Sequence, residues 1–160
     1  MKTVGILLLF GLCVAIGMRA AASKSARYEQ IAELIRDLCI FSDLIESGQS
    51  SLLRIAEEHK GALFAVLRDY LALRNAKNPE AESAKNAIAK NGIAGPEGQS
   101  LQSFLEGLSV ASSSAIRTRI AYLSESLNEA QKAAAESAKQ AKTIRAVGVL
   151  IGAVICILLL

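Results

Sequence analysis

The sequence predicts an all-α fold: an antiparallel helical bundle anchored in a membrane, with long first and last helices and shorter helices between them. Three observations predict it. Apolar residues recur at helical spacing through the middle of the chain, and no stretch alternates with period two for long enough to form a strand. Ala, Leu, Ile, Glu, Lys, Arg and Ser dominate, Trp is absent, and Pro79 and Pro96 are the only prolines. Two apolar runs, 4–17 and 146–160, lie at the extreme ends of the 160-residue chain.

The first run is short for a bilayer, whose crossing takes about 20 residues. Thr3 and the segment from Met18 to Ala22 supply the missing length, with Arg19 snorkelling to the headgroups. Residues 1–22 are therefore expected to form an amino-terminal transmembrane anchor. A cleaved secretory signal is the rival reading, because Met1-Lys2 is a basic start and Ala20-Ala21-Ala22 a small-residue site. Arg19, directly after the apolar core, and the lack of turn residues there weigh against cleavage. Ile31, Leu34, Ile35, Leu38, Phe41, Leu44 and Ile45 then continue the helical spacing with no intervening breaker. Anchor and first soluble helix should form one rod, ending near Ser47-Gly48 with Gly48 as the stop.

Ser50 or Ser51 caps the next helix, whose face is Leu52, Leu53, Ala56, Leu63, Phe64, Leu67 and Leu71, with Gly61 as a bend or interruption. Asn78-Pro79-Glu80 is a start signal: a capping Asn, Pro at the first helical position, then an acid in the first turn. That short helix carries Ala84 and Ile88 and stops at Asn91-Gly92. Gly95-Pro96-Glu97 opens another by the same logic, with Leu101, Phe104, Leu105 and Leu108 as its stripe.

Ser112-Ser113-Ser114 offers caps for the final helix. Ile116, Ile120, Leu123, Leu127, Ala130, Ala134, Ala138 and Ala141 then give a heptad-like seam that changes from large to small residues. Small seam residues let helices lie close, which suits two rods converging on adjacent anchors. The helix should run unbroken into a carboxy-terminal anchor over 144–160. Gly148 and Gly152 make a GxxxG there, a motif that lets membrane helices pack closely. The residues between, 23–143, form the water-exposed bundle. Arg19, Lys24, Arg27, Lys139, Lys142 and Arg145 flank the two runs on the bundle side, so the positive-inside rule puts the bundle in the cytoplasm and both termini across the membrane.

The remaining chemistry is sparse. A net charge of +3 with no basic, aromatic-interleaved stripe argues against nucleic acid. Cys13, Cys39 and Cys156 are too scattered for a disulfide framework or a metal site and behave as small hydrophobes. His59, the single histidine, sits in a charged helical stretch and is expected on a solvated surface. No GxSxG elbow, GxxxxGK[ST] loop or GxGxxG occurs. The expectation is a protein that is not an enzyme and takes neither cofactor nor small-molecule substrate. Arg54, Arg68, Arg74, Arg117 and Arg119 are candidate docking charges, with solvated helix faces as the plainer account.

Four segments resemble a known family. They are Leu44-Ile45-Glu46-Ser47-Gly48 followed by Leu52-Leu53-Arg54-Ile55-Ala56, then Phe104-Leu105-Glu106-Gly107-Leu108, then Arg145-Ala146-Val147-Gly148-Val149-Leu150. With the layout of the whole chain, they resemble stage III sporulation protein AB of endospore-forming bacteria. That family usually carries Phe-Gly…Leu-Gly-x-Ser/Thr-Asp in this region. Phe104 and Leu108 keep the pattern and Gly107 adjoins it, whereas Ser109 stands at the second Gly and Ser112 at the Asp.

The resemblance implies a non-enzymatic scaffold subunit of the sporulation channel complex, similar in its soluble part to type II secretion platform proteins. Its implied location is the mother-cell membrane. Its implied partners are that membrane, other channel subunits and a cytoplasmic secretion-type ATPase, with self-association also open. Two other readings stand beside it: a signal-bearing, carboxy-terminally anchored envelope protein, and a membrane sensor that dimerises through Gly148 and Gly152.

Overall fold

In a computed structural model, the backbone is described for residues 2–48, 51–76, 78–108 and 111–159. Side chains are described from 22 to 141, except at 49, 50, 77, 109, 110 and 113, and at a few positions beyond. The described residues form six helices and no strand: α1 (Lys2–Glu46), α2 (Leu52–Glu58), α3 (Ala62–Asn75), α4 (Glu80–Lys90), α5 (Pro96–Leu105) and α6 (Ser113–Leu159). The all-helical expectation holds, and the first and last helices are uninterrupted over 45 and 47 residues.

The chain divides into two compact units, one of Met1–Glu29 with Lys132–Leu160 and one of Gln30–Gln131. Among the described residues, no helix is long and apolar enough to cross a membrane. The anchors expected over 1–22 and 144–160 fall mainly on positions whose side chains lie outside those described. Gly148 and Gly152 lie there too.

Within Gln30–Gln131 the core follows the stripes read from the sequence. Leu34, Leu38 and Phe41 of α1, Ala84 and Ile88 of α4, Leu101, Phe104 and Leu105 of α5, and Leu123 and Leu127 of α6 are buried in one cluster. Each such Leu, Ile or Phe side chain contributes about 1.5–3 kcal/mol through removal of apolar surface from water. Phe41 meets Phe104 edge to face, ring centroids 6.0 Å apart, which fixes α1 against α5.

Glycines end the elements where the sequence says they should. Gly48 follows α1 at φ +87° and donates its N–H to the Ile45 carbonyl. Gly92 follows α4 at φ +67°. Gly95 and Pro96 open α5, with Pro in the first helical turn, where its missing N–H leaves no partner wanting.

Gly61 interrupts the second helix, one of the two roles expected of it, and separates α2 from α3. Three local expectations are corrected. Leu53, expected on the apolar face, is 45% exposed, and Ile55 takes the core position instead. Asn78 does not cap α4; its amide Nδ2 donates back to the Leu73 carbonyl at 3.1 Å, and Pro79 occupies the cap position. His59 is half-buried rather than solvated, its ring 5.3 Å from that of Phe64, because α2 ends there and folds back over the start of α3.

Candidate interaction surface

Several polar side chains of the 30–131 unit close helix ends across elements. Asp37, on α1, is the deepest. It is 1% exposed and its Oδ2 accepts the Leu63 N–H of α3 at 3.1 Å. The first N–H groups of a helix have no partner within that helix. Gly61, at the cap position, has no side chain to serve them, so Asp37 does so from another element. A Cβ at Gly61 would overlap the Asp37 carboxylate, and the residue's φ of +152° also disfavours any other side chain. Burial pushes the Asp37 carboxyl above its ordinary range, partly offset by the hydrogen bond from Leu63.

Of the candidate docking arginines, Arg54, Arg68, Arg74 and Arg119 have partners within the unit. Arg68 donates to the Ala56 carbonyl from Nε at 3.2 Å and from Nη2 at 2.9 Å, closing the carboxy-terminal end of α2. Arg74 lies 3.5 Å from Glu80, which also accepts the Tyr70 hydroxyl at 2.9 Å, so this trio joins the end of α3 to the start of α4. Asp69 accepts from Lys90 at 2.7 Å and Asn91 at 2.9 Å at the other end of α4, and the Lys90 ammonium holds its carboxyl below the usual range. Arg54 pairs with Glu58 one turn on, an exposed contact of little energetic weight. Arg117 remains exposed on α6.

The family-motif positions come together where α5 meets α6. Phe104 and Leu108 are core residues. Gly107 leaves room for a neighbour, since a Cβ there would collide with the Arg119 guanidinium. That guanidinium reaches over the glycine and donates to the Ser103 carbonyl at 3.0 Å, near the end of α5. Cations are favoured at this negative end of a helix. Ser112, at the family's Asp position, accepts the Ala115 N–H at 3.4 Å, three residues on. This is a cap on α6, a role that Ser and Asp side chains both fill. Beside these residues lies a groove of about 330 Å3, lined by Ser103, Phe104, Thr118, Arg119 and Tyr122.

Sequence reasoning does not single out Asp37, although a signal for it is present. Position 37 lies three residues from Leu34 and four from Phe41, on the apolar stripe, where an ionisable side chain needs a partner. No group of His, Cys, Asp or Glu among the described residues is placed to hold a metal ion.

Fold and site together define an all-helical bundle protein whose short helices are closed by side chains from their neighbours. Over residues 2–160 the chain matches the family model of stage III sporulation protein AB, and it belongs to that family of sporulation proteins. Comparison with curated proteins and with solved structures gives no match.

Proposed function

We propose that this protein is a non-enzymatic scaffold subunit of a secretion-like channel complex of sporulation. It sits in the mother-cell membrane with its helical bundle in the cytoplasm, and it docks a secretion-type ATPase to other membrane subunits. The observation that carries the reading is the continuity of α1 and α6 with the two terminal apolar runs, in a chain of this family. At 1.5 Å per residue, about 20 helical residues span a hydrocarbon core about 30 Å thick, which the first apolar run and its flank supply before α1 continues into the bundle. The basic residues on the bundle side of each run support the cytoplasmic orientation. Asp37, Arg68 and Arg119 act on helix ends, which suits a rigid binding body better than a reaction centre.

Affinity isolation of the full-length protein from sporulating cells in mild detergent tests the docking. The ATPase should co-purify, and deletion of 52–108 should abolish its recovery while the truncated chain stays in the membrane fraction. A full-length protein recovered as a monomer without any membrane partner contradicts the proposal.

A further inference from the structure

The groove between α5 and α6 lies beside the Arg119–Ser103 contact that closes α5, and its chemistry is specific. Phe104 forms part of its wall and is itself anchored in the core against Phe41. Two of the three hydroxyls in the lining are satisfied within their own helices: Ser103 donates to the Gln99 carbonyl and Thr118 to the Ser114 carbonyl. Tyr122 is 67% exposed, the most exposed large apolar side chain among the described residues. Arg119 supplies the groove's one charge, and the described lining includes no carboxylate. Its guanidinium has five N–H donors and a fixed planar shape suited to a carboxylate. Ser103 takes one donor, and the missing Cβ of Gly107 gives the group its place. From its start to Glu125, α6 carries Arg117 and Arg119 and no acid.

We infer that this groove, with Tyr122 and Arg119 at its edge, docks a partner protein through a segment that presents an apolar side chain beside an Asp or Glu. Tyr and Arg are the residue types that dominate binding energy at protein interfaces. A side chain entering the groove would be desolvated against Phe104 and Tyr122, and its neighbouring carboxylate would pair with Arg119. The inference rests on the scaffold reading only in taking the occupant to be another protein.

Site-specific crosslinking tests it. A benzoyl-phenylalanine at position 122 of the full-length chain is irradiated in sporulating cells, and the crosslinked peptide is identified by mass spectrometry. The expected peptide comes from another protein and has an acid close to an apolar side chain. Arg119→Glu should reduce the crosslink at least tenfold, and changing the partner's acid to Lys should restore it. Because Arg119 also closes α5, Thr118→Glu provides a second test: it sets a like charge in the groove at an exposed position and should give the same loss at an unchanged melting temperature. Crosslinks confined to lipid, to further copies of this chain or to a peptide without an acid overturn the inference. So does an absence of crosslinks while the ATPase still co-purifies, and that outcome leaves the scaffold reading standing.

Discussion

Asp37 concentrates the residue-scale physics of this protein. Its carboxylate caps α3, and loss of such a cap costs about 1–2 kcal/mol, so Asp37→Ala should lower stability by that amount in a denaturation experiment on the detergent-solubilised chain. Its pH behaviour has a definite sign. The folded-state pKa is raised above 3.8, mainly by burial, so the folded chain holds the proton more tightly than the unfolded one. The resulting contribution to stability is full below the unfolded value and is lost as pH rises through the folded value. Asp37→Asn removes this dependence. Followed upward from pH 3.8, the variant's stability should therefore gain on that of the wild type, and a constant difference contradicts the assignment. Asp69 has the opposite sign, because Lys90 lowers its pKa: its contribution is present above 3.8 and lost as pH falls through the folded value. Ser83 offers a simpler case. Its hydroxyl is buried in α4 with no hydrogen-bond partner among the described residues. Ser83→Ala should raise stability by about 1 kcal/mol, since an unmet buried polar group is removed and helix propensity improves.

At the scale of elements, the short helices depend on their neighbours. α2 has only seven residues, too few to hold together alone. Its carboxy-terminal carbonyls are met by Arg68 of α3. Arg68→Ala should therefore raise amide exchange across 52–58 well before that of α4 and α5; uniform exchange across the unit contradicts this dependence. At the α5–α6 junction, Gly107→Ala displaces the Arg119 guanidinium from Ser103 and should cost about 1 kcal/mol, the worth of an ordinary hydrogen bond, since this one is exposed to solvent. In an Arg119→Ala background the same change should cost distinctly less, and strict additivity in the double-mutant cycle rejects the coupling. These contacts explain what is legible in the sequence and what is not. Helix starts and stops at Gly48, Ser51, Gly92 and Pro96 depend on a few consecutive residues, so local pattern finds them. Asn78 carries the same local signal as a cap, but its amide is drawn back to the Leu73 carbonyl, and that competition is invisible in the spacing. The uses of Asp37, Arg68 and Arg119 are tertiary: each side chain serves an element 12 to 26 residues away, and no window of the sequence holds both partners. Of the motif positions, Phe104 and Leu108 are legible as apolar stripe, whereas the reason for Gly107 appears only when α6 is folded beside it.

In the molecule as a whole, an all-helical bundle of the stage III sporulation protein AB family is joined to two terminal apolar runs that extend its first and last helices. A partner docking on α5 and α6, as proposed, would meet Phe104 and Arg119 already held by Phe41 and Ser103, so little of their conformational freedom would be lost on binding. Orientation is the property on which the proposed scaffold role depends, because a cytoplasmic ATPase could reach the bundle only from that side. Protease accessibility of the bundle in protoplasts from sporulating cells measures it directly. Protease added outside should leave 23–143 intact until the membrane is opened, after which the bundle is digested. Digestion of the bundle in intact protoplasts would contradict a cytoplasmic scaffold.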